Sequence, residues 1–275
     1  MRGERGLALV SVLWAVAILS LIAAAMMSAG MLSSRISRNA WAETRAQTIA
    51  DAGIQRAILA LLDKRAASRW RTDNVAQDFS FDGVTVIVAI ADEFGKIDIN
   101  RASRDQLSIL FKSEGDSTDD AVKLAQRVVD WRTPANLGGA VQATDTGPAY
   151  RSRSGPFQSV DELGLVPGMT PQLFARVEPA LTVYSHRPDF DLATAPKEVL
   201  LTIPGMDEQR AEEMIAARNG GVPRSTAVSD FAPSLAGRAF SIKADVQEGR
   251  IRARRFAVIE FTGDPTRPFW ILDWK

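Results

Sequence analysis

The chain has no cysteine, which excludes disulfides, thiolate metal sites and cysteine nucleophiles. It has a single histidine, His186, in "YSHRPDF", with no serine nucleophile motif beside it; the expected role is a surface loop residue, and no catalytic triad is legible. Net charge is missing as well. The 33 basic residues balance the 33 acidic ones, so nothing global points to nucleic acid. No proline occurs before Pro134, and Gly30 and Gly53 are the only glycines between Leu7 and Lys64, so nothing local stops a helix there. Most conspicuous is the absence of any charged residue over residues 7–34. The lack of cysteine does not fix the compartment, because a periplasmic protein can do without it. A chain of 275 residues has room for one or two domains and a proper core.

What is present begins with "MRGERGLALVSVLW". A hydrocarbon core of about 30 Å needs roughly 20 helical residues, and the uncharged run is long enough to span it. A soluble core helix of that length without a polar face would be unusual. A cleaved secretory signal has a shorter apolar region, roughly 7–15 residues. Beyond Arg35 the pattern turns amphipathic: Ile54, Ala57, Ile58, Leu61 and Leu62 recur at three- and four-residue spacings and share one helix face. One helix running from Leu7 to the region of Arg65 would be about 90 Å long. Its first half is lipid-soluble. Its second half has one apolar face, on which Ile36, Ile54 and Ile58 are the expected contacts with partner helices.

The remainder reads as a mixed head. Val84, Val86 and Val88 alternate with Thr85, Ile87 and Ala89 as a strand. Ser103 caps a helix from Arg104 with Asp105 in its first turn. A second helix over residues 119–131 puts Val122, Ala125, Val128 and Val129 on one side. Residues 133–156 form a long loop. Ser159 and Glu162 make a capping box, and Pro167-Gly168 links to a helix begun by Pro171. "IDINRASRDQLSIL" weakly repeats as "FDLATAPKEVLLTI", and "LGLVPGM" as "LLTIPGM". The tail, "AFSIKADVQ", "RIRARRFAVIEF" and "PFWILDWK", reads as an antiparallel meander. In it Arg250, Arg252 and Arg254 share a face and Arg255 interrupts the other.

Two chemistries compete for these segments. The two Pro-Gly turns resemble helix-hairpin-helix DNA modules, where backbone amides meet a phosphate. Asp207, Glu208, Glu212 and Glu213 would repel phosphate at the second turn; a packing turn is the plainer reading. The acidic pairs Asp92-Glu93, Asp119-Asp120 and Asp161-Glu162 fit helix starts. Calcium wants six to eight oxygens, and Asp130 with Asp145 are too few, so no cofactor or metal is expected.

The leader, the glycine and the two-part helix resemble a type IV pilin or type II secretion pseudopilin precursor. "DEFGKIDINRAS", "VVDWRTP", "GPFQSVDELGLVPGM" and "FDLATAPKEVLLTIPGM" resemble, in order, the signature stretches of the minor pseudopilin K family, also called general secretion pathway protein K. That resemblance implies cleavage by prepilin peptidase between Gly6 and Leu7 with methylation of the new N-terminus. It implies a single-pass inner-membrane subunit with a periplasmic C-terminal head, and no enzymatic activity. The implied partners are the minor pseudopilins I and J and the major pseudopilin, at the tip of a pseudopilus that supports export of folded proteins. Most pilins carry glutamate fifth in the mature chain; here the fifth residue is Ser11, a departure characteristic of this family. The expected fold is α+β: a long N-terminal helix on an antiparallel sheet, with a helical domain inserted in the head. The expected division is leader 1–6, helix 7–75 with 7–30 in the membrane, first strands 76–99, helical insert 100–184 and the rest of the head 185–275. A membrane-anchored periplasmic binding module, and a minor subunit of a related pilus-like system, stay open as alternatives.

Overall fold

A computed structural model of the chain describes residues 4–63, 70–134, 155–219 and 235–275, with the side chains of 4–9, 25, 28–36 and 219 outside the description. The fold is α+β. Helix α1 runs without a break over Glu4–Leu62, 59 residues, or about 88 Å at 1.5 Å per residue. It ends at Leu62 rather than continuing to 75.

Among the described residues seven strands follow: β1 (Asp73–Phe81), β2 (Val84–Asp92), β3 (Ile97–Asp98), β4 (Leu181–Thr182), β5 (Ala239–Glu248), β6 (Ile251–Asp264) and β7 (Arg267–Trp274). Five of them form one antiparallel sheet in the order β1-β2-β5-β6-β7. The expected C-terminal meander is present. The first strand region is a hairpin that starts at Asp73, with Asp82 and Gly83 at its turn, both at positive φ. Period-two burial in β2 is clean: Val84, Val86, Val88 and Ile90 point to the core and Ile87 away from it.

The core of the head lies between this sheet and the second half of α1. Ala46, Ile49, Ala50, Ile54, Ala57, Ile58 and Leu61 face Val86, Val88, Phe240, Ile242, Ala244 and Ile259. The helix sits close because Gly53 has no side chain. A Cβ there would meet Val86 Cγ1 at 2.8 Å and Ala244 Cβ at 3.1 Å.

The helical insert occupies the gap between β2 and β5. It holds α2 (Arg104–Ser113), α3 (Thr118–Arg132), α4 (Pro171–Val177), α5 (Lys197–Leu200), α6 (Glu208–Asn219) and the two-residue parallel pair β3–β4. One apolar core unites it, from Ile97 through Leu107, Leu124, Val128 and Leu163 to Val199 and Ala211. The insert therefore extends well past the expected boundary at 184. Residues 185–219 share its core, and the head resumes only with β5. Two local expectations also shift. Ala121 and Leu124 are buried on α3 while Val122 is exposed. Ser159 caps a 3-10 turn, Val160–Leu165, not an α-helix, and the Glu162 carboxylate accepts from the Gln158 N–H, one residue before the position of a capping box.

Candidate assembly interface

The two halves of α1 have opposite surroundings. All described side chains over residues 10–27, Trp14, Leu19, Leu21 and Met26 among them, are exposed around the whole helix. Ser11 is exposed among them. Among the described residues no helix is long and apolar enough to cross a membrane; the uninterrupted described stretch, 10–24, is shorter than the roughly 20 residues a bilayer core requires. Gly6 and Leu7 lie within the helix by their backbone, with side chains outside the description.

Ile54 and Ile58, expected at partner helices, are instead buried within the molecule. They are 0 % and 2 % exposed, packed against the chain's own sheet. The periodicity identified the sticky face, but that face is consumed inside the molecule. The Ile36 side chain lies outside the described residues. On the side of α1 away from the sheet, Trp41 and Leu59 are exposed.

Polar contacts fix how α1 leaves the head. Arg45 donates to the Asp82 carboxylate at 2.8 Å and to Glu248, so it grips the β1–β2 turn and the end of β5 together. This lifts the Arg45 guanidinium above its usual range, chiefly through the hydrogen bond to Asp82. Arg255, which interrupts the inner face of β6, faces α1: it pairs with Asp51 at 3.2 Å and donates to Gln47. Arg254 points outward and pairs with Asp245 at 2.6 Å, while Arg252 is exposed on the same outer face and Arg250 sits in the β5–β6 turn. Because Arg45 marks one end of the strands, and Asp92 and Ala239 the other, the apolar half of α1 and the helical insert leave the sheet at opposite ends.

At the insert end the junction is tied. Arg238, just before β5, contacts Asp92 at the end of β2 and Asp191 of the insert, the latter at 3.0 Å. Two guanidinium groups lie against the Phe94 ring, Arg238 at 4.9 Å and Arg187 at 5.0 Å from its centre. The Asp191 N–H donates to the Phe94 carbonyl at 2.6 Å. Gly95 passes so close to the Thr194 carbonyl that a Cβ would lie 2.6 Å from its oxygen. Burial raises the Asp92 carboxyl above the usual range, although Arg238 and the Phe94 N–H pull it down. Neither Arg238 nor this pairing had a sequence signal, since "LAGRAF" carries no motif.

The weak internal repeat is structural. Asp98 accepts from the Asn100 N–H at 2.8 Å, and Asp191 from the Ala193 N–H at 2.9 Å. Ala102 bonds back to the Asp98 carbonyl as Ala195 does to Asp191. Arg132, closing α3, clamps the Ile99 and Ala102 carbonyls; Arg218, closing α6, clamps those of Leu192 and Ala195. The two Pro-Gly turns match too, with Gly168 and Gly205 at φ 94° and 79° and Met169 and Met206 each bonded three residues back at 3.0 Å. Arg127 and Arg210 cap these turns by donating to the Pro167 and Gly205 carbonyls. Such use of arginine is internal packing, not an open phosphate cradle.

No proton relay forms at His186. Asp98 takes its backbone N–H at 2.7 Å and the Ser185 hydroxyl at 3.4 Å, and His186 is exposed at φ 53°. Among the described residues no group of three or more His, Cys, Asp or Glu side chains could hold a metal ion. Asp145 lies outside the described residues, and Asp130 is bonded by Gln126 at 2.8 Å. The acidic pairs are helix starts: Asp119 and Asp120 in the first turn of α3, Asp161 and Glu162 in that of the 3-10 turn.

Residues 87–186 match the family described as type II secretion system (T2SS), protein K. The fold resembles a chain of the crystal structure of the GspK-GspI-GspJ complex from the enterotoxigenic Escherichia coli type 2 secretion system. The TM-score is 0.53 at 12% sequence identity, over 88% of this chain and 97% of that one. No curated protein matches the chain in sequence. The family match begins inside β2 and ends just past β4, so it spans the first half of the insert; the fold match extends the likeness to the pilin-like head. Together they bear out the resemblance to minor pseudopilin K.

Proposed function

We propose that this chain is a minor pseudopilin of the type II secretion system that caps the tip of a periplasmic pseudopilus. In this reading the apolar half of α1, continued through Leu7, holds the subunit in the inner membrane as a single span, and the head lies in the periplasm. Prepilin peptidase cuts between Gly6 and Leu7, and the new N-terminus is methylated. Extraction then exchanges lipid contacts for helix–helix contacts with minor pseudopilins I and J, and the major pseudopilin adds below. The tip so built supports export of folded proteins across the outer membrane. The role is structural, with no reaction and no cofactor.

One observation carries the reading: the exposed half of α1 and the bulky insert leave the sheet at opposite ends. A helix open all round at one end can be stacked against neighbours. A wide helical domain at the other end leaves no room for a subunit above it. The tied junction supports the same reading, since Asp92, Arg238 and Asp191 hold that domain in a fixed attitude.

The test is co-production of the full chain with pseudopilins I and J and the prepilin peptidase, followed by purification from membranes. The expected result is a stoichiometric complex in which the mass of this chain begins at Leu7. Recovery of the chain alone, or with Met1 intact beside active peptidase, would overturn the proposal.

A further inference from the structure

The root of α1 is tied from two sides. Ala46 is the first buried side chain along the described part of the helix, and residues 37–45 are exposed except for the half-buried Ala42. The helix therefore parts from the head between Arg45 and Ala46. Below that point residues 4–45 continue as a helical stalk of about 60 Å. Residues 31–52 contain neither glycine nor proline, so no kink is built in at the root. The direction of the stalk is left to the side chains that tie it.

Those ties act on opposite flanks of the helix. Arg45 donates to the Asp82 carboxylate at 2.8 Å, to the Asp82 carbonyl at 3.3 Å and to Glu248. Asp82 precedes β2 and Glu248 closes β5, so one planar guanidinium spans two neighbouring strands. The second tie runs to β6, on the other side of β5 from β2. There Arg255 donates to Gln47 at 3.3 Å and pairs with Asp51 at 3.2 Å. At about 100° per residue, positions 45 and 47 lie roughly 160° apart around the helix. A tilt of about 10° at this root would carry the far end of the stalk through roughly 10 Å, so small restraints here govern a large displacement.

We propose that Arg45 and Arg255 are opposed stays that lock the direction in which α1 leaves the head. A stalk that swung freely would have to be ordered whenever it packed against neighbouring helices, and that loss of freedom weakens binding. The locked stalk enters assembly already aimed. The consequence for assembly rests on the tip reading; the lock itself does not.

The chain has no cysteine, so a pair of spin labels can be placed on introduced cysteines alone. The full chain in detergent carries one label at Met27 on the stalk and the other at Asp78 on β1 or Leu272 on β7, exposed positions on opposite edges of the sheet. Pulsed electron resonance should give one narrow distance distribution for each pair. Arg45→Met should at least double both widths, and Arg255→Gln, too short to bridge Gln47 and Asp51, should broaden them too. Arg45→Lys, a point charge without the fork, should fall between. The Arg45 and Asp82 side chains are 45 % and 64 % exposed, and exposed pairs add little stability, so Arg45→Met should melt as wild type. It should nevertheless weaken the complex with pseudopilins I and J at least threefold. Unchanged widths in Arg45→Met or Arg255→Gln overturn the inference and leave the tip reading standing. Broadened distances with a complex as tight as wild type overturn the part of the lock in assembly. A wild-type chain that forms no complex overturns the tip reading, and that part with it.

Discussion

The guanidinium of Arg238 lies against the carboxylate of Asp92, joining the residue that closes β2 to the residue that opens onto β5. Between them in sequence lies the whole helical insert. The contact is nearly dry, with the Asp92 side chain 2 % exposed, so it acts as a clasp at the neck of that insert.

Removing one side of a buried pair leaves a bare charge and is strongly destabilising. Arg238→Met should lower stability by about 3 kcal/mol or more. It should also change the pH profile. The Asp92 carboxyl is raised by burial and lowered by Arg238; without the arginine it rises further. A raised carboxyl makes the folded state hold its proton where the unfolded state has lost it, so stability falls as pH climbs from the usual carboxylate range through the raised value. Denaturant unfolding from pH 4 to 7 should show Arg238→Met regaining stability on acidification more than wild type does. A flat difference between the two across that range would show that Asp92 does not feel the arginine.

Gly53 stands where α1 lies against the sheet. Gly53→Ala would favour the helix by about 1 kcal/mol on propensity alone. Here the new methyl must displace Val86 and press on Ala244, and overpacking of this kind costs about 1–3 kcal/mol. The melting temperature should therefore fall with alanine and fall further with valine. A gain on Gly53→Ala would mean that the helix can lift from the sheet without penalty.

Ser11 tests the tip position. A subunit with no predecessor has no neighbouring amine to neutralise an acid at this point of the helix. Ser11→Glu should bring no gain, and should impair insertion or extraction, because an acid at the centre of a span costs about 2.5–3.5 kcal/mol on insertion scales and less near the interface. Ser11→Ala should be close to silent. Secretion activity in a complemented deletion strain measures both, and a rise in assembly with glutamate would remove the tip placement.

Much of this was legible in sequence because it depends on neighbours in the chain. The uncharged run, the lack of helix breakers and the three- and four-residue spacing specify a long two-part helix. Alternation of β-branched residues specifies β2, and the period-two tail specifies the meander. Ser103 caps its helix through a bond to the residue three positions on, and such a bond is written locally.

The tertiary structure decided which surfaces remain available. Periodicity shows that Ile54 and Ile58 share an apolar face, but only the sheet packed against that face shows that it is already occupied. The reach of the insert to Asn219 follows from Val199 and Ala211 entering the same core as Ile97 and Leu107, a contact between distant residues that no local pattern records. The clasp of Arg238 on Asp92 spans 146 positions, and the place of β7 at the end of the described sheet depends on its pairing with β6. Sequence sets local conformation through nearby sterics and hydrogen bonds. Burial and pairing are set by where the chain returns to itself, and that is decided in three dimensions.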